Sequence, residues 1–201
     1  MFKYKDKIVH FNLPTHIAFI MDGNRRWATE RGLNKMMGHR QGAVALKNII
    51  STLTEIEEIK YVSFFGFSTE NWNREKKEID GLFELARKLV EENEDQFYEK
   101  GIKFVSMGDV SKFPKDLQDV LIRVMNKTKN NTNMTVNLAL NYGGRDDIVY
   151  AVNKLIKNGA KEITEEDIKQ NLYSAGSPDI DLLVRTSGEQ RVSNFMLYHG
   201  L

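Results

Sequence analysis

Apolar positions along this chain fall into short blocks that alternate between two periods. Ile17–Met21 is a continuous apolar run, followed by a polar stretch containing Gly23. From Gln41 to Glu58, Leu46, Ile49, Ile50, Leu53 and Ile56 recur at helical spacing. Tyr61–Phe67 is β-branched and aromatic and reads as a strand. Ile79, Leu82, Phe83, Ala86, Leu89 and Val90 then mark one long amphipathic helix, running to Phe97, with a very acidic outer face. Ile102–Met107 and Met134–Leu140 read as strands, and Pro114 opens a helix carrying Leu117, Val120, Leu121 and Val124. A helix follows from about Arg145 to Lys157, Thr164 with Asp167 resembles a capping box, and Asp181–Arg185 is the last clear strand. This alternation predicts an α/β fold: a single domain with a mostly parallel central sheet flanked by helices. In such sheets ligands bind beyond the carboxyl ends of the strands. The loops after Met21, Phe67, Leu140 and Arg185 are therefore where chemistry is expected.

Composition narrows the class. At about 150 residues per domain, 201 residues make one domain. A 41% hydrophobic content supports a real core. The 29 basic and 28 acidic residues leave a net charge of +1, which disfavours a globally basic nucleic-acid binder, so no nucleic-acid partner is expected. The absence of cysteine excludes a disulfide scaffold, a thiol nucleophile and a Cys-ligated zinc site. The N-terminal stretch 1–14 is charged and lacks the apolar core of a signal peptide. With no run approaching about 20 apolar residues, a cytoplasmic protein is expected, with peripheral membrane contact left open.

The loops then supply the chemistry. The first reads Asp22-Gly23-Asn24-Arg25-Arg26-Trp27, and between Asp22 and Lys47 six Lys or Arg stand against two acids. A carboxylate directly after a buried strand can hold a divalent cation, Gly23 allows close backbone approach, and paired arginines suit a phosphate. A solvated basic face with an Asp cap explains the same composition. The second loop, Ser68-Thr69-Glu70-Asn71-Trp72-Asn73-Arg74, is dense in donors, though a Ser N-cap with Glu and Asn in the first turn is a common structural device. The third, Asn141-Tyr142-Gly143-Gly144-Arg145, reads equally as a structural turn. The fourth places Arg185 and Arg191 around a small-residue turn with Ser193 beyond, a candidate anion cradle. P-loop, dinucleotide-binding, zinc-protease and nucleophile-elbow motifs are missing, and Tyr150 stands where a DDxxD motif begun at Asp146 needs its third acid. Asp179 and Asp181 read as a turn leading into the last strand. The residues alone thus indicate a Mg²⁺-dependent enzyme acting on one or two phosphate- or diphosphate-bearing substrates, with charge stabilised by metal and arginine.

The runs His16–Ala28, Gly38-His39, Phe67–Arg74, Asn141–Arg145 and Arg185–Phe195 closely resemble the cis-prenyltransferases, in the order and spacing of that family. The resemblance implies condensation of isopentenyl diphosphate onto an allylic diphosphate, usually farnesyl diphosphate, yielding a long polyprenyl diphosphate lipid carrier for bacterial cell-wall synthesis. It implies Asp22 as the catalytic Mg²⁺ carboxylate, with the backbone of Gly23 to Arg26 and the Arg26 side chain cradling the allylic diphosphate. His39 would assist there, with Asn24 and Asn71 beside the reacting ends. Arg185, Arg191 and Ser193 would hold isopentenyl diphosphate, with Arg74 nearby. Trp27, Phe67 and Trp72 would pack on prenyl chains or order the loop, and Ser68 would stand near the transferred proton. Arg25, Lys35, Thr69 and Glu70 complete the implied binding set.

A growing prenyl chain needs an apolar tunnel, and the helix from Ile79 to Phe97 with Val136, Leu138 and Leu140 supplies candidate walls, for which ordinary core packing is the alternative. Lys35 stands where many members carry Arg, keeping the charge but not the bidentate geometry. The family's second metal carboxylate, a Glu, falls just past Leu201, as does a terminal helix at the expected homodimer interface, so a C-terminally truncated chain is expected. A catalytically impaired member serving as a diphosphate-binding or scaffold subunit is the second reading. A generic phosphate-binding α/β domain is a weaker third.

Overall fold

The β-branched and aromatic run of the second predicted strand is buried on both faces: Val62, Ser63 and Phe64 are sealed from solvent. Full burial of this kind is the signature of an inner strand in a parallel sheet. The computed structural model, which describes residues 12–200, places it so. The expectations about residues 1–11 and about the chain end at Leu201 lie outside the described residues. Five strands, β1 (His16–Ile20), β2 (Tyr61–Ser68), β3 (Ile102–Met107), β4 (Met134–Tyr142) and β5 (Leu182–Arg185), form one sheet in the order β3-β4-β2-β1-β5. Every pairing is parallel, sharpening the expected "mostly parallel".

Helices connect the strands: α1 (Asn24–Thr29), α2 (Lys35–Leu53), α3 (Lys76–Glu92), α4 (Glu94–Glu99), α5 (Lys115–Thr128), α6 (Gly144–Lys157) and α7 (Glu165–Asn171). The larger core joins Ile17, Val62 and Phe64 of the sheet to Leu46 and Ile50 of α2, Ile79, Phe83 and Val90 of α3, and Leu117, Leu121 and Val124 of α5. A smaller core gathers Ala18, Ile20, Ala139, Phe195 and Met196. The split follows the alternation of side chains along β1, where Ile17 and Phe19 serve the first core and Ala18 and Ile20 the second.

Three elements differ from expectation. The stretch Asp22–Trp27, read as a loop, is mostly helical, because α1 begins immediately after Gly23. The expected single helix to Phe97 is two, α3 and α4, divided at Asn93, whose buried side-chain amide donates to the Leu89 carbonyl at 2.6 Å. Helix α2 starts six residues before Gln41, because Asn34 caps it by accepting from the Met37 N–H at 3.1 Å. The Thr164 capping box on α7 forms as expected.

Around His16, the buried polar groups of the inner strands are paired, whereas Ser106 Oγ on β3 is buried without a partner among the described residues. His16 Nδ1 donates to the Pro178 carbonyl at 2.9 Å, which leaves Nε2 to accept from the Ser63 hydroxyl at 2.8 Å. Asn137 then donates to Ser63 Oγ and Ser177 Oγ, both at 3.0 Å. Asp181 accepts the Thr15 and His16 N–H groups at 2.8 and 2.9 Å, and Asp179 pairs with Lys169 at 3.0 Å, so both acids are structural, as the turn reading expected.

Candidate active site

A cavity of about 570 Å³ opens at the carboxyl ends of β1, β2 and β5. It has two chemically distinct parts. The mouth is polar, lined by Asp22, Gly23, Asn24, Arg25, Arg26, His39, Ser68, Glu70, Asn71, Arg74, Arg185, Arg191 and Ser193. The interior is apolar, walled by Leu46 from α2, Leu82, Leu85, Ala86 and Leu89 from α3, Phe65 and Phe67 from β2, and Leu138 and Leu140 from β4.

At the mouth, Asp22 follows β1 and is held from two sides. Gly23 N–H donates to Oδ1 at 2.7 Å, and Arg185 Nη2 donates to Oδ2, also at 2.7 Å. Partial burial opposes the carboxylate's charge, but these two donors outweigh it and keep its pKa below the usual range. Gly23 has φ +86°, and a Cβ there would meet Ser187 Oγ at 2.6 Å, so the turn requires glycine. The same guanidinium of Arg185 donates through Nη1 to the Arg191 carbonyl and to Ser193 Oγ, each at 2.6 Å. Arg185 Nε is buried with no partner among the described residues. Glu189 pairs with Arg26 at 3.6 Å and also with Arg191, joining the first and fourth loops.

The second loop is shaped by a bulge in β2. Register against β4 slips between Phe65 and Phe67 and again before Ser68, next to Gly66, whose Cβ would crowd Leu138 at 3.0 Å. A short 3₁₀ turn, Thr69–Asn73, follows, and the Ser68 N–H is capped by Asn71 Oδ1 at 3.1 Å. The structural capping reading of this loop is therefore realised, while Ser68, Glu70, Asn71 and Arg74 also face the cavity. Trp72 packs among Phe67, Phe83 and Phe113 at centroid distances of 5.4, 5.6 and 6.1 Å, and its indole N–H donates to Asn141 Oδ1 at 2.8 Å.

Four candidate binding residues stand off the cavity. Trp72 orders the loop. Trp27 lies under the Arg31 guanidinium, 4.5 Å from its ring centroid. Lys35 is exposed at the first position of α2, and Thr69 reaches toward Asp146 at 3.5 Å. The third loop contributes no lining residue beyond Leu140 and acts as a brace. Gly144 N–H donates to the Asn194 carbonyl at 2.7 Å, and Arg145 N–H to Asn194 Oδ1 at 3.0 Å. Of the expected tunnel walls, α3, Leu138 and Leu140 line the cavity, whereas Val136 belongs to the core.

Leu46 and Phe65 of the apolar interior were not singled out as cavity walls in the sequence, nor was one charged residue behind the mouth. Glu78 on α3 is only 6% exposed and meets His39, Arg74 and Arg25 at its Oε1. The available signal was its place four residues before Leu82 and seven before Leu85, a carboxylate on an apolar stripe.

Comparison with known proteins agrees with this arrangement. A family model described as "Putative undecaprenyl diphosphate synthase" matches residues 20–200. The isoprenyl transferase of Clostridium tetani is 44% identical over 193 residues, covering 93% of this chain and 75% of that protein. That of Fusobacterium nucleatum is 46% identical over 187 residues, covering 93% and 80%. Among solved structures, lavandulyl diphosphate synthase from Lavandula x intermedia, in complex with dimethylallyl diphosphate, superposes with a TM-score of 0.87 at 34% identity, covering 92% of this chain and 83% of that one. A probable undecaprenyl diphosphate synthase from Campylobacter jejuni gives 0.77 at 32% identity, covering 94% and 82%. A charged mouth over an apolar interior, carried on this sheet and matched along most of its length, makes the chain a member of the undecaprenyl diphosphate synthase family of cis-prenyltransferases, enzymes that condense prenyl chains.

Proposed function

We propose that the protein transfers the allylic chain of farnesyl diphosphate onto successive isopentenyl diphosphate units, with Mg²⁺, to build a long polyprenyl diphosphate carrier for cell-wall synthesis. The observation that carries this reading is the junction of the two parts of the cavity. Arginines from the loops after β1, β2 and β5 ring a mouth that leads directly to a leucine-lined interior. A diphosphate head and a hydrocarbon tail need that pairing of surfaces.

The donor set fits Mg²⁺. Asp22 offers a hard oxygen at the mouth, and no group of three or more metal-ligating side chains is assembled among the described residues. Mg²⁺ is commonly held by one or two carboxylates together with substrate phosphates and waters, so one carboxylate beside diphosphate-binding arginines suits it. When bound, the ion offsets negative charge on the departing diphosphate.

The chain's own groups divide the remaining work. Arg26 and the backbone from Gly23 to Arg26 hold the allylic diphosphate and receive charge as its C–O bond breaks. Arg185, Arg191 and Ser193 hold isopentenyl diphosphate, whose double bond supplies the electron pair for the new C–C bond. Ser68 lies near the proton lost afterwards, Asn24 and Asn71 lie beside the reacting ends, and the leucines of α3 and β4 exclude water from the growing chain.

The test is incubation of the 201-residue chain with Mg²⁺, farnesyl diphosphate and radiolabelled isopentenyl diphosphate. Labelled long-chain product is the expected result. Diphosphate binding without turnover would instead favour a scaffold subunit, and orthophosphate release a phosphatase.

A further inference from the structure

Helix α3 presents Leu82, Leu85 and Leu89 to the cavity, and Glu78 begins the same stripe. A carboxylate there is costly to bury unless it is paired. Three cationic or polar partners from three different elements converge on its Oε1. His39 Nε2 of α2 donates at 3.1 Å, Arg74 Nη1 of the loop after β2 donates at 3.2 Å, and Arg25 Nε of α1 stands at 3.8 Å. All three line the cavity, whereas Glu78 does not.

Two consequences follow from this geometry. Arg25 and Arg74 would repel one another at the mouth, and a shared counter-ion lets both face the same space. His39 is the second case. A neutral imidazole carries one N–H, so donation from Nε2 leaves Nδ1 as the bare acceptor. Burial holds His39 below its ordinary pKa although Glu78 pulls the other way, so near neutrality the ring carries one proton. Nδ1 makes no hydrogen bond with a described residue.

We propose that Glu78 is a positioning residue for the condensation site: one buried carboxylate gathers Arg25, His39 and Arg74 into a single wall of the mouth and fixes His39 as the Nε2–H tautomer. This rests on the proposed prenyl-transfer reading for its substrates. It makes a distinctive demand on kinetics. Removing the negative charge of Glu78 makes the mouth more positive, so a diphosphate ground state is bound at least as well. Turnover nevertheless falls, because the partners lose their common anchor.

The experiment is Glu78→Gln, an isosteric neutral change, with farnesyl diphosphate and isopentenyl diphosphate as substrates. Expected are a kcat about tenfold lower, a KM for farnesyl diphosphate unchanged or lower, and altered ¹⁵N shifts of the His39 ring showing a changed tautomer population. A kcat equal to that of the unsubstituted protein overturns the proposal, as does loss of affinity with the His39 tautomer unchanged, the pattern of a merely structural role. Independently of whether the variant folds, ¹⁵N spectra of the unsubstituted protein decide the second half: Nε2–H on His39 supports it, and Nδ1–H overturns it. If the unsubstituted protein makes no polyprenyl product, the prenyl-transfer reading fails, while the tautomer measurement still decides the role of Glu78.

Discussion

Individual side chains in this site do more than one job, and the Asp22–Arg185 pair shows how. Arg185 spends one guanidinium on Asp22, on the Arg191 carbonyl and on Ser193, so it knits the ends of β1 and β5 as well as facing the cavity. Under the prenyl-transfer reading proposed above, the metal role falls to Asp22, the cavity carboxylate that Arg185 and the Gly23 N–H hold in place. Asp22→Ala is expected to lower prenyl-transfer turnover by a factor of about 100 or more, with an unchanged far-ultraviolet circular dichroism spectrum. Near-normal turnover would remove the metal role from Asp22. Asp22, Arg185, Arg191 and Ser193 were legible in the sequence because strand ends and residue types identify them without knowledge of packing. Glu78 was not. On a helix rich in acids it reads as one more solvated carboxylate, and only the approach of α1, α2 and the β2 loop makes it a buried counter-ion.

At the level of elements, the close contact of α1 with α2 governs the first loop. A Cβ at Gly38 would lie 2.0 Å from the Asn24 carbonyl oxygen, and one at Gly42 would lie 2.7 Å from Asn24 Oδ1. The obstruction at Gly38 is backbone and cannot rotate away. Gly38→Ala is expected to destabilise the fold by about 1–3 kcal/mol and to displace Asn24–Arg26, lowering both the melting temperature and turnover. A variant that melts with the unsubstituted protein would show that the two helices can part without cost. On the opposite side of the cavity, Leu138 of β4 lines the apolar interior. Leu138→Trp fills part of it, and chromatography of the products is expected to show shorter chains. Unchanged product length from an active variant would remove Leu138 from the path of the chain. Period and residue type made most strands and helices legible, within a few residues at their ends. The break at Asn93 was not, because the apolar spacing continues through it. The cause is a side-chain hydrogen bond to the Leu89 carbonyl that hydrophobic periodicity does not register.

For the molecule as a whole, acid stability depends on histidines placed far from the site. His199 is 1% exposed and bonds Ser174 Oγ through Nε2 at 2.5 Å. Burial first, and then the nearby His16, push its pKa down to about 4. His16 is lowered in the same direction, again mainly by burial. A histidine kept neutral in the folded state stabilises fully above its unfolded pKa. That contribution is lost as pH falls from about 6.5 toward 4, because the unfolded chain takes up the proton first. For His199 the loss amounts to about 3 kcal/mol at most. Urea midpoints should therefore drop between pH 7 and pH 4.5, and His199→Asn should flatten that slope. An equally steep slope in the variant would place the effect elsewhere. Among the described residues no helix is long and apolar enough to cross a membrane.

The two-part cavity has a consequence for how the enzyme can change over evolutionary time. Its polar lining comes from the ends of β2 and β5, the segments beyond β1, β2 and β5 including the start of α1, and His39 of α2, and its apolar lining mainly from α3, β2, β4 and Leu46. Under the prenyl-transfer reading proposed above, recognition of the head group and measurement of the tail fall mainly to different residues. The two sets meet where Phe67 of the interior adjoins Ser68 of the mouth, so substitutions there are coupled, while those at well-separated positions combine nearly additively. On that reading, drift in the leucines and phenylalanines changes product length while the arginine ring stays fixed, so one reaction furnishes lipids of many sizes from a single scaffold.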